Sequence, residues 1–592
     1  MTTADPQFAS LAPPPSYRLI GQAFVRGIGV IYLIAIVSLW TQIQGLVGSH
    51  GVLPIRHYLD LLRQLMPHDW FWRNPSLVWL NASDGFLHFL CAAGVVLSLL
   101  VIAGIAQAPA LALLWVIYLS LSVAGQDFLN FQWDALLLEA GLLSIFFAPA
   151  QLRARLIPQR EPSRIVLWLI RWLLFRLMFL SGLVKLLSGD SCWRDGTAMN
   201  YHYLTQPLPT WTSYWAYQLP GWFQWLSVWI MFGIELLAPL LIFAGDAVDI
   251  GWGLHADFRG HERRFRLARR SRQLAFVLLV SLQLLIAATG NFGFFNLLAM
   301  LLCITLLDDH IFPEWARSRI ERMTSSPGQG GAEKQVELGT LDAAPAPSST
   351  AVSVSNPSKG PPRIPAAPSY PESLGYLPQS LDPVKAALTR LRLIGTSLFA
   401  AVIVSLTTLT GVQECIRTVD YRATLPQALQ TVVEWVEPFR STNGYGLFRV
   451  MTRERNEIII EGSDDGETWK PYEFKYKPGD PFRRPRFCTP HMPRLDWQMW
   501  FGVFGAADQN RWFIPLLKRL LAGEPHVLAL LDTNPFPNQP PKYIRAIEYN
   551  YRFASESAEG RWWNRSNLQG YFPPVTLEEM RQALPEPGVD PP

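Results

Sequence analysis

The sequence predicts a polytopic α-helical membrane protein that carries a C-terminal, β-rich α+β domain outside the membrane. Three observations lead to this fold class. Charged residues make up only 17% of the 592 residues, against about 25% in an ordinary soluble protein. The mean hydropathy is positive, at +0.14, although long polar segments contribute to it. The apolar residues are gathered into long runs, whereas the region after about residue 411 shows short strand-like patterns.

The charge balance and the cysteine count exclude two broad classes of protein. Lys and Arg total 51 and Asp and Glu total 47, so the formal net charge is only +4. Nucleic-acid-binding proteins carry a strong basic excess, and we therefore expect no nucleic-acid partner. Five cysteines spread over the whole chain are too few for a disulfide scaffold.

Nine apolar runs predict about nine transmembrane helices. Several runs reach the roughly 20 residues that a helix needs to cross the hydrocarbon layer. The segment before the first run contains Pro13-Pro14-Pro15 and no basic cluster, so we expect the first span to be retained rather than cleaved. The runs are 24–42, 86–105, 108–124, 134–148, 164–187, 223–245, 273–289, 294–308 and 393–410.

The arginine distribution predicts the orientation of the spans, because Lys and Arg concentrate in cytoplasmic loops. The loop 125–133 contains no Arg, and the loop 188–222 contains only Arg194. With nine spans and a cytoplasmic N-terminus, the Arg-rich segments all fall on the cytoplasmic side, and the chain after 411 falls on the lumenal or periplasmic side. The Arg-rich segments are 153–164, 259–272 and 317–322.

Composition divides the chain into six segments. A stretch rich in Pro, Ser, Ala and Gly without aromatic clusters cannot bury enough surface to order itself, so it predicts a disordered linker. The segments are an N-terminal cytoplasmic segment (1–23), a transmembrane helical domain (24–310) with an outer loop (188–222), the disordered cytoplasmic linker (311–390), the last transmembrane helix (393–410), a lumenal or periplasmic C-terminal domain (411–575) and a flexible tail (576–592).

Local patterns in the C-terminal domain predict a mixture of strands and helices. Residues 457–461 form a strand-like run, and Asp464-Asp465-Gly466 is a turn signal. Residues 469–476 alternate well enough to return as a hairpin partner. Residues 510–521 have helical spacing, and residues 543–553 are again strand-like.

Five ionisable groups inside the spans are candidates for a role, because a charge in hydrocarbon is costly unless it is paired or wet. At about 1.5 Å per residue, Arg176 and Glu235 both fall near the midplane, which predicts that they pair. Lys185 falls near the outer boundary, where Glu139 or Asp134 could pair with it, or where its chain could extend to the interface. The five groups are Glu139, Arg171, Arg176, Lys185 and Glu235.

The outer loop that follows Lys185 is dense in polar, aromatic and turn-forming residues, and we expect it to be the functional surface. Aromatic side chains in such a loop can supply contacts to a lumenal partner. Arg194 and Asp195 are expected to fix the shape of the loop through local hydrogen bonds. The candidate residues are Asp190, Cys192, Trp193, Arg194, Asp195, His202, Tyr203, Gln206 and Pro207.

The same region permits an enzymatic interpretation. Lys185 at the rim, His202 seventeen residues later and Glu139 could together serve acid–base chemistry. The sequence shows no zinc spacing, Walker loop, nucleophile elbow or dinucleotide fingerprint, so we expect neither a metal nor a cofactor. Cys192, Cys415 and Cys488 all fall on the outer side and could form one disulfide.

Motifs along most of the chain, outside 245–272 and 324–390, carry a resemblance to a known family. They include Ser38-Leu39-Trp40, Gly125-Gln126-Asp127-Phe128-Leu129, Phe131-Gln132-Trp133-Asp134, Cys192-Trp193-Arg194-Asp195, Asn443-Gly444-Tyr445-Gly446, Arg494-Leu495-Asp496-Trp497 and Pro541-Lys542-Tyr543. These stretches resemble the lipase maturation factors, polytopic endoplasmic-reticulum proteins that help certain lipases to fold and assemble. The resemblance implies a non-enzymatic factor whose partners are lipase clients and membrane lipid.

The resemblance has departures and leaves an alternative open. The family has a second cysteine after its Cys-Trp-Arg-Asp element, where this chain has Ala198. The stretch in which Lys185 precedes Trp193 and Gly196 is also similar to the membrane region of vitamin K-dependent gamma-carboxylases. This similarity favours a membrane-embedded enzyme as the alternative function. A transporter is a third class. The expected location is the endoplasmic-reticulum membrane in a eukaryote and the inner membrane in a bacterium.

Overall fold

The computed structural model describes residues 15–153, 161–244, 262–315, 318, 383–555 and 560–583. The chain divides into two compact units, of which one comprises Met1–Pro313 with Ala400–Pro592 and the other comprises Glu314–Phe399. Most of the predicted linker, the last nine residues of the predicted tail and the first fourteen residues lie outside the described residues. The predictions made for them stay predictions.

Within the described residues, each of the nine predicted spans overlaps one apolar helix. Seven of these helices are long and apolar enough to cross a membrane, α6 together with the 3₁₀ turn that continues it to Ile242, whereas α4 has 16 residues and α8 has 10. The helices are α1 Arg18–Trp40, α2 Asp84–Ala103, α3 Gln107–Ala124, α4 Gln132–Phe147, α5 Arg164–Leu187, α6 Gly221–Leu237, α7 Glu262–Thr289, α8 Phe295–Ile304 and α9 Pro383–Val419. The predicted polytopic helical fold is confirmed, and α9 extends nine residues past its predicted end at 410.

The segment that contains the ten-residue helix α8 crosses the whole helical layer. Before α8, the side chain of Asn291 donates a hydrogen bond to the carbonyl oxygen of Arg486, at the end of the layer where α7 finishes. After α8, the carboxylate of Asp309 accepts hydrogen bonds from the backbone N–H groups of Arg18 and Ile20, where α1 starts. Asn291 and Asp309 are eighteen positions apart in the chain. Helix α8 alone is too short to join the two ends of the layer, and the short turns on either side of it supply the remaining length.

Helix α4 also runs from one end of the layer to the other. Asp134 in its first turn pairs with Arg494 of the C-terminal region, and Phe147, its last residue, packs on Phe24 in the early turns of α1 at 5.7 Å between ring centroids. We call the end of the layer where α1, α3, α5, α7 and α9 finish the covered end. The opposite end is the one where α1, α5 and α7 start. The orientation derived from the arginines stays a prediction.

The C-terminal region contains two small antiparallel sheets within its described residues. The first has the strand order β2-β1-β5-β6 and the second pairs β3 with β4. The predicted hairpin is confirmed, since Glu461 of β1 lies opposite Pro471 of β2. The strands are β1 Arg455–Ser463, β2 Lys470–Pro471, β3 Glu473–Phe474, β4 Leu531–Thr533, β5 Tyr543–Phe553 and β6 Trp563–Thr576.

Shorter helices complete the fold. Arg494–Gly502 and Phe513–Leu521 each bury apolar residues, and the second of these confirms the predicted helix within 510–521. The remaining short helices are Ile43–Val47, Ile55–Leu65, Trp70–Arg73, Ser191–Arg194, Met199–Thr205, Trp211–Tyr217, Gln427–Val436, Pro525–Leu528 and Leu577–Ala583.

The C-terminal region shares a hydrophobic core with the outer loop. Leu204 and Tyr214 of the loop pack with Ile459 of β1 and with Phe553 and Trp563 of β5 and β6. Burying large aromatic and aliphatic side chains is the main favourable term that can hold two segments together. The outer loop and the sheet therefore form one folded body at the covered end.

Candidate functional site

Lys185 forms a buried ion pair with Glu235, and the two partners lie on α5 and α6. The ammonium of Lys185 donates to both carboxylate oxygens of Glu235, at 2.7 and 3.0 Å, and to the carbonyl oxygen of Ser181 at 3.1 Å. The Trp193 ring lies 5.4 Å from the ammonium, which adds a cation–π contact. The predicted partners of Lys185, Glu139 and Asp134, are wrong.

Arg176 pairs with Glu139 of α4, so the predicted pair between Arg176 and Glu235 is also wrong. The second oxygen of Glu139 accepts a hydrogen bond from the Tyr445 hydroxyl at 2.7 Å and from the Asn443 amide at 3.2 Å. Arg176 in turn donates to the carbonyl oxygen of Asn443 at 2.9 Å. The pair is thus satisfied by residues that follow it by more than 260 positions.

The remaining two charges predicted inside or beside the spans also have partners. The Arg494 guanidinium donates two hydrogen bonds to Asp134 of α4, at 2.6 and 2.8 Å, and the Tyr118 hydroxyl donates to the same carboxylate. Arg171 donates to the carbonyl oxygen of Thr305 at 2.9 and 3.1 Å. Fully buried ionic groups persist in proteins when their hydrogen-bonding capacity is met in this way.

The pairing prediction failed because residues 440–447, called the strap, enter the helical layer. Ser441 accepts a hydrogen bond from the Trp115 indole at 3.1 Å, and Trp115 lies nine residues before the end of α3, which is about 14 Å along the helix. The sequence places the strap in the domain outside the membrane, whereas the structure places it among α3, α4, α5 and α9. Depth counted along single helices cannot reveal a polar segment inserted from elsewhere in the chain.

Two glycines allow the strap to pass close to α9. A Cβ on Gly444 would lie 2.8 Å from the Cβ of Glu414 and 3.2 Å from the carbonyl oxygen of Thr410. A Cβ on Gly446 would lie 3.0 Å from the Glu414 carboxylate. Non-helical backbone is tolerated at membrane depth where protein or a water-filled cavity surrounds it. The first condition holds for the strap, because α3, α4, α5 and α9 all contact it.

A cleft with a volume of about 220 Å³ lies beside the strap. Its lining is both polar and apolar and includes Gln132 of α4, Thr410 and Glu414 of α9, and Asn443 and Tyr445 of the strap. A cavity of this polarity and size holds several water molecules. Asn443, which binds Glu139, is partly exposed beside this cleft, whereas Tyr445 is fully buried.

The outer loop is anchored to the C-terminal region through buried hydrogen bonds. The Trp193 indole donates to the carbonyl oxygen of Phe448 at 3.1 Å, and the Asp190 carboxylate accepts from the backbone N–H of Met451 at 2.6 Å. Arg455 donates to the carbonyl oxygens of Leu204 and Pro207 at 2.8 and 2.9 Å. Glu457 neutralises Arg455 at 2.6 Å.

Burial changes the role of most loop residues that the sequence singled out. Trp193 is only 2% exposed and Cys192 and Gln206 are equally enclosed, so the expectation that Trp193 offers itself to a partner is wrong. The Gln206 amide donates to the carbonyl oxygen of Thr289 at 2.7 Å, which fixes the loop to α7. Indole and amide groups that are buried with satisfied hydrogen bonds hold a fold together.

Arg194 and Asp195 are the exposed members of the candidate set. Arg194 approaches the carbonyl oxygen of Gly189 at 3.5 Å, a contact at the long limit of a hydrogen bond. Pro207 is buried and Tyr203 is partly buried. The disulfide that the sequence allowed among Cys192, Cys415 and Cys488 is not formed, and all five cysteines, each within a described range, are free.

His202 of the outer loop has an unpartnered ring nitrogen and an aromatic neighbour. Its Nδ1 atom has no hydrogen-bond partner within the described ranges, and its ring packs edge-on to Phe448 at 4.9 Å. Burial, aided by the positive charge of Lys185, lowers the pKa of His202 from 6.5 to about 4. The imidazole is therefore neutral at physiological pH.

The candidate acid–base residues do not form one constellation. Lys185 bonds to Glu235 and Glu139 bonds to Arg176, so the two belong to separate ion pairs. No group of three or more His, Cys, Asp or Glu side chains suited to a metal ion occurs in the part of the chain that the structure describes. The residues that sequence reasoning missed are the strap and Arg494, although the closely spaced glycines of Asn443-Gly444-Tyr445-Gly446 were a signal of close backbone approach.

The chain matches two family models that together cover its helical and C-terminal parts. The lipase maturation factor transmembrane domain matches residues 19–254 and 264–314, and the lipase maturation factor C-terminal domain matches residues 441–573. The second match begins at the strap.

Curated proteins match over nearly the whole chain. Lipase maturation factor 2 of Gallus gallus is 35% identical over 96% of this chain and 82% of the relative. Lipase maturation factor 2 of Homo sapiens is 34% identical over 95% of this chain and 83% of its own length. Lipase maturation factor 1 of Mus musculus is 30% identical over 95% of this chain and 89% of its own length. No solved structure matches the chain.

The apolar helices and these matches agree on the class of protein. Seven described helices can cross a membrane, and both family models match in the order expected for one protein. The chain is an integral, multi-pass membrane protein, and it belongs to the lipase maturation factor family.

Proposed function

We propose that this protein binds lipase clients while they fold and assemble, and that it does so without catalysing a reaction. The relatives named lipase maturation factor support the client class. The proposed location is the endoplasmic-reticulum membrane if the source is a eukaryote and the inner membrane if it is a bacterium. The C-terminal region then faces the lumen or the periplasm, where secreted lipases fold.

The observation that carries this proposal is the way the helical layer and the C-terminal region are joined. Charges in α4 are neutralised by Arg494 and bound by Tyr445, and carbonyl groups of the outer loop are bound by Arg455. Truncating one partner of such a buried pair is strongly destabilising. A rigid body of this kind presents one fixed surface to a client, which lowers the entropy lost on binding.

The geometry around Lys185 supports a structural role for this residue. Its ammonium is enclosed by Glu235, the Ser181 carbonyl group and the Trp193 ring, and the side chain is 5% exposed. A general base must reach a substrate directly or through one water molecule. An ammonium that already donates three hydrogen bonds at 2.7 to 3.1 Å has no donor left for a substrate.

The test is to co-express a lipase client with the protein and to measure the activity of the secreted or lumenal lipase. We expect the intact protein to raise the yield of active lipase. Arg455→Met, which releases the outer loop from the sheet, should lower both the folded yield of the factor and the lipase yield. Arg194→Gln, an exposed arginine of the same loop, is the matched control and should leave the folded yield unchanged.

Two results would contradict the proposal. One is a lipase yield that does not depend on the intact protein. The other is a Lys185→Met variant that folds and still binds the client but no longer supports lipase activity, since that pattern would give Lys185 a chemical role.

A further inference from the structure

A short helix after α9 exposes a strip of large apolar side chains. The helix Gln427–Val436 begins eight residues after α9 ends. Leu429, Val432 and Trp435 are exposed, and Trp435 is 82% exposed. At about 100° per residue these three side chains occupy an arc of about 120° on one side of the helix. An exposed strip of this kind in a folded protein requires a partner.

The other sides of this helix face different surroundings. Val433 is buried, and Gln430 accepts a hydrogen bond from Gln413 of α9 at 3.0 Å, so one side packs against the protein. Gln427 and Thr431 are exposed and polar. The helix thus has a protein-facing side, a polar side and an apolar side. The polar and apolar sides are adjacent along its length, as in helices that lie at a membrane surface.

The bond to Gln413 fixes the depth of the helix. Gln413 lies six residues before the end of the membrane-spanning stretch of α9 at Val419, which is about 9 Å along the helix axis. The helix Gln427–Val436 is therefore held beside the last turns of a membrane span. Interfacial helices bury their apolar side about 5–10 Å into the boundary between headgroups and acyl chains.

The neighbouring span α9 also exposes apolar side chains. In α9, Val402, Val412 and Val419 are all exposed, as expected for the lipid-facing side of a membrane span. Arg417 and Arg422 are exposed near the end of the apolar stretch of α9. Arg side chains and Trp rings both concentrate near the interfaces of a bilayer.

We propose that the helix Gln427–Val436 lies in the membrane interface, with Leu429, Val432 and Trp435 inserted among the lipids. The occupant of the exposed strip is the bilayer. The strap begins four residues after this helix, and Val433 lines the cleft beside the strap. Contact with lipid therefore positions one wall of the cleft beside the strap.

The test uses spin labels at single cysteines in the full-length protein, reconstituted into phospholipid nanodiscs. A Cys415→Ser background is suitable because Cys415 is the partly exposed cysteine and the other four are buried. The labelled variants are Val432→Cys and Trp435→Cys. Relaxation by oxygen, which partitions into lipid, is compared with relaxation by a water-soluble nickel chelate.

Three further labels serve as controls. Gln427→Cys lies on the polar side of the same helix, Val412→Cys lies on the exposed side of α9, and Glu467→Cys lies in the exposed hairpin turn. We expect positions 432 and 435 to match 412, with oxygen relaxation dominant by several-fold, and position 427 to match 467. Nickel-dominated relaxation at 432 and 435 would overturn the proposal. Protection from both reagents would also overturn it, because a protein partner or a second copy would then cover the strip.

Discussion

The two ends of the helical layer bind their carboxylate groups in different ways. At the opposite end, the Asp309 carboxylate accepts hydrogen bonds from the free N–H groups at the start of α1, and Glu161 binds the half-exposed Arg18. At the covered end, Asp134 and Glu139 are buried and bound by Arg494 and Arg176, and Tyr445 and Asn443 of the strap bind the Glu139 carboxylate.

The difference shows where the helices depend on the rest of the chain. A carboxylate at a helix N-terminus is favoured by the helix dipole and by free backbone donors, and the half-exposed Arg18 pair is screened by solvent. A carboxylate buried among helices has only the partner that reaches it. We therefore expect substitutions at the covered end to affect stability more than those at the opposite end.

The largest effect is expected from Arg494→Met. This change leaves the Asp134 carboxylate buried with one hydroxyl donor, and breaking a buried pair costs about 3–5 kcal/mol. Thermal stability measured by fluorescence-detected size-exclusion chromatography should fall sharply. Arg486→Met, which removes a half-exposed arginine paired with Asp532, is the control. Equal tolerance of the two changes would remove the contrast between buried and exposed pairs.

Acidification should destabilise the covered end through His202. Its folded-state pKa of about 4 lies below the ordinary value of 6.5, so the unfolded chain binds more protons between these values. The stabilisation is complete above about pH 6.5 and is lost as the pH falls toward 4. The loss stays below about 3 kcal/mol because the residue as a whole is partly exposed. Melting curves from pH 7.5 to 4.5 should flatten in His202→Phe, and an unchanged pH profile would contradict this assignment.

A double-mutant cycle can test the corrected pairing of Lys185. Lys185→Met and Glu235→Leu should show a coupling energy of about 1–3 kcal/mol, since contacting residues in one network are not additive. Arg176→Met combined with Glu235→Leu should be additive, because each belongs to a different pair. The measurement is the same thermal assay on singles and doubles. Strong coupling in the second cycle would restore the pairing that the sequence suggested.

Gly444→Ala should destabilise the strap by about 1–3 kcal/mol through overpacking. The added methyl would press on the Glu414 Cβ at 2.8 Å. Gly233→Ala in α6 is the matched control, because a Cβ there meets nothing within 4 Å and Ala is favoured over Gly in a helix. Melting temperatures should thus move in opposite directions, and a neutral Gly444→Ala would show that the strap can shift away from α9.

The smallest effect is expected from Arg18→Gln at the opposite end. The pair with Glu161 is 41% and 37% exposed, and exposed pairs contribute about 0–1 kcal/mol. Thermal stability should change little, and raising the salt concentration should reduce the small difference between wild type and variant. A loss comparable to that of Arg494→Met would show that both ends depend on buried charge.

The sequence alone determined the class of fold, the sites of nine apolar helices, the β1–β2 hairpin and the family. These follow from composition, run length and local motifs, which a chain carries whatever its tertiary contacts. Residues such as Arg176, Lys185 and Glu139 could be recognised as candidates because charge inside a span is rare.

The tertiary structure alone decided which charge meets which, and which loop residues are exposed. Counting residues along one helix gives a depth but no neighbour, and it assumes that only helices occupy the layer. The strap breaks that assumption, because Asn443 and Tyr445 bring hydrogen-bond donors from the distant C-terminal region to Glu139. The sequence suggested that Trp193 contacts a partner, whereas the structure buries it. Its indole donates a hydrogen bond to the Phe448 carbonyl group of the C-terminal region. Local pattern specifies helices, whereas the burial of a polar group depends on partners that only the folded chain brings into reach.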